Sequence, residues 1–410
     1  MRLAILRISL LIAVCLLFSL SVDRALGLLG YPSEVEPRVA HPPNYSAFVK
    51  LLESSYEFRT NSQGLRYREI PLTKNSASDI RVVVLGDSQT EGAGVGAHQT
   101  FAALLEHRLS NSSREVAFVN CGLSGTGPEQ YRRILLRVGL KYHPDAVLIA
   151  LHPNDVADTP ISADTSEVIP TDIIPSRTGL RRMAHSLWPR TYTMLRTIRD
   201  GLEIRARSVA ADRTGKRDFV DVVSEEARRQ RIPENRIAAW RSSLPPDLVE
   251  AANRGEFNGH ILSTGLLYPS YWADSLDVEG SQAARQWATM VALLVDIITR
   301  ARALGLPVGV ILTPTPFQYD GTYGSDWKQA GTTIKPEWLK HTKLETRLTE
   351  WTEDYNVPFL NLTPYFRRAA EEKPGVLNYR FDNHWTAQGH QLAASVILEW
   401  INKQGLIPGL

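Results

Sequence analysis

Val82-Val83-Val84-Leu85-Gly86-Asp87-Ser88-Gln89-Thr90-Glu91-Gly92 constrains the fold more than any other stretch of the sequence. Four consecutive apolar residues, three of them β-branched, end abruptly in Gly-Asp-Ser. A run this short, closed by turn residues, reads as a buried strand. Ser88 then stands where a strand feeds a loop and a helix. In open α/β sheets that carboxyl end is where ligands bind. A serine held there among backbone N–H groups can serve as a nucleophile.

The segments that follow repeat the pattern. Phe101, Leu104, Leu105 and Leu109 fall at i, i+3, i+4 and i+8, the apolar stripe of a helix. Glu115–Asn120 reads as a second strand, ending at Cys121-Gly122, and Pro128–Leu140 as a helix. Ala146–Leu151 is a third strand, ending at His152-Pro153-Asn154-Asp155. The alternation resumes with a long helix over Ala283–Ala303, a strand at Pro307–Leu312 and a helix at Thr342–Tyr355. A short strand at Val357–Leu362 and a last helix at Thr386–Gln404, with Thr386 as its N-cap, complete it. Alternating strands and helices predict an α/β fold with a parallel sheet.

Two regions depart from this pattern. Residues 31–80 hold scattered prolines and read as a linker followed by an edge segment around Tyr56–Ile70. The core therefore starts at residue 81 and runs to 410, interrupted at about 157–279 by a basic, helix-prone insertion without clear strands. Ten arginines crowd residues 177–217, interspersed with Leu180, Met183, Leu187 and Tyr192. That stretch fits a solvated helical insertion, a lid, or an amphipathic surface for a membrane or acidic polysaccharide.

The N-terminus carries an address. Arg2 and Arg7 precede the uncharged run Ile8–Val22, and Asp23-Arg24 ends it. Residues 1–30 therefore read as a signal peptide or an uncleaved anchor, the run nearing the roughly 20 residues that span a bilayer. Both place the body of the protein outside the cytoplasmic membrane, in the periplasm or cell envelope, and an uncleaved segment would hold it to the membrane. A net charge of +2 over 410 residues argues against a nucleic-acid partner. Cys15 and Cys121 are the only cysteines, too few for a disulfide framework or a cysteine-rich metal site. Cys121 reads as a buried thiol.

Ser88 needs a base, and His384 has the fitting context: Asp382-Asn383-His384-Trp385 lies just before the last helix. A carboxylate two residues before a histidine can accept from Nδ1–H and leave Nε2 free for the serine proton. His390 sits on the apolar-rich last helix, where packing or capping fits better. A developing oxyanion needs donors. Gly122 follows the second strand and lets a backbone N–H approach closely, and Asn154 follows the third with a side-chain amide. Asp87 and Asp155 read as braces of their loops. Each feature alone has an ordinary structural explanation; in chain order, each at a strand end, they form a catalytic constellation.

That ordered set, Gly86-Asp87-Ser88, Gly122, Asn154 and Asp382/His384, resembles the GDSL, or SGNH, hydrolase superfamily. The resemblance covers about 81–155 and 283–400, with Phe58–Arg66 similar to the lead-in of extracytoplasmic members, and omits the insertion. It implies a flavodoxin-like three-layer α/β/α sandwich with a five-stranded parallel sheet. Carried over by position, Ser88 is the nucleophile, His384 the base and Asp382 its orienting carboxylate. Ser88 N–H, Gly122 N–H and Asn154 form the oxyanion hole, and no metal or cofactor is required. Two departures stand out. His152 replaces a glycine usual in the third block, and the Asp-x-His-Trp spacing resembles that of alginate-type polysaccharide O-acetyltransferases. His152 and Trp385 are thus candidate substrate-binding residues. The serine-first order is that of the hydrolases, so the expected activity is a serine esterase acting on short acyl, chiefly acetyl, esters of small molecules or carbohydrate. The alternatives are a polysaccharide O-acetyltransferase with the same triad and a non-catalytic envelope or polysaccharide-binding protein.

Overall fold

The computed structural model describes residues 39–110, 115–161 and 218–410, together with 7, 14, 18–28, 187, 188, 190 and 191. Two units emerge, Met1–Pro37 with Ser166–Arg217, and Arg38–Thr165 with Asp218–Leu410. In the first, residues 18–28 are helical. Asp23 Oδ1 accepts from Thr191 N–H at 2.8 Å, and Ser19 Oγ from Trp188 Nε1–H at 3.0 Å. No helix among the described residues is long and apolar enough to cross a membrane. Most of the apolar run 8–22 and of the arginine-rich stretch 177–217 lies outside the described residues.

The second unit is a three-layer α/β/α sandwich. Its sheet is built from β3 (Ile80–Gly86), β4 (Val116–Gly122), β5 (Ala146–Leu151), β6 (Val308–Leu312) and β7 (Phe359–Asn361), in the order β4-β3-β5-β6-β7. All neighbours pair in parallel. This is the flavodoxin-like order, and its switch point falls between β3 and β5. Every residue of β3, β4 and β5 is buried, which is why these strands read as unbroken apolar runs.

Alternate residues of each strand feed two cores. Val83 and Leu85 pack with Tyr131, Ile134 and Leu135 of α3 (Pro128–Arg137) and Met290, Leu294 and Ile297 of α10 (Gly280–Ala303). Val82 and Val84 face the other way. They meet Phe101 and Leu105 of α2 (Phe101–Leu109), Phe366 of α13 (Thr363–Glu372), and Ala393, Ile397 and Ile401 of α14 (Ala387–Gln404). Thr386 Oγ1 accepts from Gly389 N–H and caps α14.

Two short helices open at the carboxyl ends of the central strands: α1 (Ser88–Glu91) after β3 and α4 (Asn154–Asp158) after β5. The described part of the insertion is helical: α5 (Phe219–Arg229), α6 (Glu234–Ser243), α7 (Pro246–Asn253), α8 (His260–Leu267) and α9 (Tyr271–Asp277). After β6 come α11 (Ser325–Gln329) and α12 (Lys343–Asp354). The stretch before residue 80 is not an edge of the main sheet. Its strands β1 (Ser46–Lys50) and β2 (Ser55–Arg59) pair with each other, antiparallel, around the turn at 51–54. The turn docks on the insertion: Leu52 N–H donates to Glu256 O at 2.6 Å, and Lys50 pairs with Glu256.

Candidate active site

Ser88 opens α1 at the end of β3, beside the switch point of the sheet. Asp87 Oδ1 accepts from Gln89 N–H at 2.9 Å, the N-cap that turns the chain from strand to helix. The loop before α14 comes alongside. His384 Nε2 lies 2.7 Å from Ser88 Oγ, and His384 Nδ1 lies 2.5 Å from Asp382 Oδ1. The tautomer follows from the partners: Nδ1 donates to the carboxylate, and Nε2 accepts from the serine hydroxyl. Both side chains are largely buried. For His384 burial disfavours the imidazolium, but the Asp382 charge and hydrogen bond outweigh it, helped by Asp87 and Glu91, and its pKa is raised. For Asp382 burial acts upward, and His384 and the backbone N–H groups of 383 and 384 carry the net shift downward.

The loop is held from two sides by residues that sequence reasoning did not single out. Gln89 Nε2–H donates to Asn383 O at 2.8 Å, and its Oε1 accepts from Trp385 N–H at 3.2 Å. The residue after the candidate nucleophile thus grips the backbone on both sides of His384. Glu53, in the β1–β2 turn, accepts from Arg380 N–H at 2.7 Å and Phe381 N–H at 2.8 Å.

The oxyanion side corrects the sequence expectation. Gly122 is the last residue of β4, paired with Gly86, and its N–H already donates to Asn120 Oδ1 at 2.9 Å. A Cβ there would meet Glu91 N at 2.3 Å, so this glycine lets α1 lie against the sheet. The glycine that reaches the site is Gly125, three residues on. It is exposed at φ +72°, it lines the same cavity as Ser88 and Asn154, and its N–H has no hydrogen-bond partner among the described residues. Its turn is fixed by Glu91, whose Oε2 accepts from Ser124 N–H at 3.2 Å and from Ser124 Oγ–H. The other oxygen of Glu91 pairs with His41 Nε2.

Asn154 opens α4. One N–H of its amide donates to Asp158 Oδ2 at 3.0 Å, and its Oδ1 is bonded to His152 Nδ1. Asp155 is buried, receiving Tyr131 O–H at 2.8 Å and His152 N–H at 3.0 Å. It braces the loop and stands away from the cavity.

Neither tentative substrate-binding residue lines the cavity. Trp385 is fully buried in the second core, stacked on Phe366 at 4.7 Å, with Nε1–H donating to Pro314 O. Its size serves packing. His152 is buried behind Asn154, edge-on to Trp272 at 5.9 Å, and burial pulls its pKa down. His390 is in the core, its Nδ1 accepting from Phe101 N–H at 3.2 Å, and burial lowers it to about 3. Burial pushes the Cys121 thiol up to about 12, which makes it inert.

A cavity of about 630 Å³ opens above Ser88. Ser88, Gly125, Asn154, Asp382 and His384 form one wall, and Val49, Leu51 and Tyr56 come from the hairpin. Asn258, Ile261, Thr264, Tyr271 and Trp272 come from the insertion, and Trp327 from α11. Asp158 also lines it and is exposed. The protein packed around its carboxyl raises the pKa, against hydrogen bonds from Tyr271 and Asn154 that favour the anion.

Residues 84–247 match the GDSL-like Lipase/Acylhydrolase family. That match covers about two-fifths of the chain and is a likeness to the family over those residues. The family description, lipase/acylhydrolase, supports ester hydrolysis as the activity of the matched stretch. The matched stretch contains Ser88, Gly125 and Asn154 and ends before Asp382 and His384. No curated protein matches the chain. Among solved structures it is similar to the acetyl xylan esterase AlAXEase, at 11% identity and a TM-score of 0.36, covering 78% of this chain and 98% of that one. The psychrotrophic esterase EstA from a Pseudoalteromonas species matches at 13% and 0.35, covering 79% and 97%. A member of the G-D-S-L lipolytic family from Veillonella parvula matches at 11% and 0.35, covering 78% and 97%. Likenesses this distant add nothing to the family match about substrate or mechanism.

Proposed function

We propose that the protein is an extracytoplasmic serine esterase that hydrolyses short acyl esters, acetyl above all, on carbohydrate. The observation that carries this reading is the unbroken chain Asp382–His384–Ser88, with contacts of 2.5 and 2.7 Å, opening onto a cavity edged by Gly125 and Asn154. Ser88 Oγ attacks the ester carbonyl while His384 Nε2 takes its proton. The negative charge that forms on the carbonyl oxygen meets Ser88 N–H, Gly125 N–H and the second N–H of Asn154. His384 returns the proton to the leaving alcohol, leaving an acyl-Ser88. Water, deprotonated by the same imidazole, then releases the acid and restores the serine. Asp382 stabilises the imidazolium in both halves.

The substrate class is supported by the cavity walls. The lining includes the aromatic Tyr56, Tyr271 and Trp327 together with the polar Asn258, Thr264, Asp158 and Asn383. A long acyl chain favours a continuous apolar groove, whereas a sugar suits aromatic faces interleaved with polar groups. The basic start and apolar run at the N-terminus support export. The Asp382-x-His384-Trp385 spacing that prompted the transferase alternative stands, but Trp385 packs in the core and offers no face to an acceptor sugar.

The test is hydrolysis by the full chain of 4-nitrophenyl esters of increasing acyl length and of an acetylated oligosaccharide, with and without an unacetylated acceptor. We expect acetate release that falls with acyl length and vanishes in Ser88→Ala and His384→Ala. Turnover that survives in either variant would refute the mechanism. Acetyl groups recovered on the acceptor instead of in water would establish transfer.

A further inference from the structure

We propose that Asp158 and His152 are positioning residues that fix which end of the Asn154 amide faces the substrate, and that Tyr271 ties this clamp to the inserted helices. The inference rests on the esterase reading above and concerns how its oxyanion donor is kept in place.

A primary amide has two donors on nitrogen and an acceptor oxygen, and it can rotate to exchange them. Only the nitrogen end can stabilise an oxyanion; the oxygen would repel it. Both ends of Asn154 are engaged. Oδ1 is bonded to His152 Nδ1, and Nδ2 to Asp158 Oδ2 at 3.0 Å. The carboxylate decides the orientation, because an anion accepts and never donates. A rotated amide would set its oxygen against the Asp158 carboxylate and its N–H groups against His152. With one N–H committed to Asp158, the other is left for the cavity, which Asn154 lines.

Each clamp residue is itself held. Asp158 Oδ1 accepts from Tyr271 O–H at 2.8 Å, and Tyr271 opens α9 in the insertion. His152 is buried edge-on to Trp272, the next residue of the same helix, and its backbone N–H donates to Asp155. Tyr271 and Trp272 therefore support the two jaws from one short helix. The expected family glycine at 152 could supply no such side chain.

The experiment measures kcat and KM on 4-nitrophenyl acetate for Asp158→Asn, His152→Gln and Tyr271→Phe, each alone and combined with Asn154→Ala. Losing an oxyanion donor outright costs about 10²–10³ in kcat, so a donor left free to rotate should cost less, about tenfold, with KM little changed. In the Asn154→Ala background the same substitutions should cost nothing further, since the group they orient is gone. A loss of equal size in both backgrounds, or no loss in either, overturns the proposal. Tyr271→Phe removes a single hydroxyl and carries the comparison if the buried His152 variant does not fold. Ser88→Ala and His384→Ala run alongside. Turnover retained there brings down the esterase reading itself. Turnover lost there, with the clamp variants silent, brings down the clamp alone.

Discussion

Replacing Asp382 by asparagine tests the electrostatics of the site more sharply than removing the serine does. The change keeps the shape and removes one charge. In the native site the carboxylate receives His384 Nδ1–H at 2.5 Å in largely buried surroundings. A charge-assisted hydrogen bond of this kind is worth about 1.5–3 kcal/mol. At about 1.36 kcal/mol per factor of ten, that bond alone predicts a loss of roughly ten- to 150-fold in kcat. An asparagine can also present its N–H to Nδ1 and force the wrong tautomer, which in a comparable triad brings the loss to about 10⁴. The pH dependence follows with a definite sign. His384 must be neutral to accept the serine proton, so kcat/KM rises with pH through its pKa. Asp382 is the main reason that pKa is raised, while burial pushes the other way. In Asp382→Asn the burial remains and the charge is gone. The acid limb of kcat/KM, set by the raised pKa of His384, must therefore move down in the variant. The assay is 4-nitrophenyl acetate hydrolysis from pH 5 to 9, rates normalised to correctly folded enzyme. A limb that stays in place or moves up would refute this account of the site, whatever happens to kcat.

Gly122→Ala should act on stability, because its Cβ would lie 2.3 Å from Glu91 N in the helix that carries Ser88. Overpacking of this kind costs about 1–3 kcal/mol, read as a lower urea midpoint; an unchanged midpoint would put Gly122 outside a packed contact. Trp385→Ala should lose about 3–5 kcal/mol in the same measurement, as a fully buried indole is removed from the core. A small stability loss with a large rise in KM would instead return Trp385 to the substrate. Glu53→Gln weakens two backbone hydrogen bonds to the loop of His384 and should lower kcat more than it alters KM or the urea midpoint. Equal activity would show that the loop holds itself.

The sheet was legible in the sequence because burial on both faces leaves an unmistakable trace. Ala146–Leu151 is β5 residue for residue, and the other four strands lie within two residues of the apolar runs that announced them. Ser88, His384, Asp382 and Asn154 stood out as candidates because each falls at a strand end or just before a helix, and the structure brings all four to one cavity. The error over Gly122 has a specific cause. Three glycines, Gly122, Gly125 and Gly127, follow the run Glu115–Asn120, and sequence does not reveal where a strand stops pairing; the ladder runs on through Gly86–Gly122 and leaves the turn to Ser124 and Gly125. The hairpin was missed because β1 and β2 are five residues each, with partial burial on one face only. Gln89, Glu91, Asp158 and Tyr271 were silent for another reason. They are ordinary polar residues whose importance lies in what they touch across the fold.

Those contacts tie the segment before the core to the candidate active site. The α/β sandwich by itself supplies Ser88 and Asn154 at fixed strand ends. The other groups sit on loops, and loops need anchors to hold a catalytic geometry. Gln89 and Glu53 anchor the loop of Asp382 and His384, and Glu91 anchors the turn of Gly125. Two of these anchors involve the segment before β3. Glu53 belongs to the hairpin turn, and Glu91 is paired with His41. Arg66, buried from the same segment, donates to the carbonyls of Glu91, Gly92 and Val95 and stacks on Tyr56 and Phe58. It thereby locks the chain that leaves α1. A stretch that composition alone marks as a linker thus bonds to both loop-borne halves of the site, and its hairpin also furnishes Val49, Leu51 and Tyr56 to the cavity wall. The candidate catalytic loops and the cavity wall thus share their supports in residues 41–66, so variation there should alter both together.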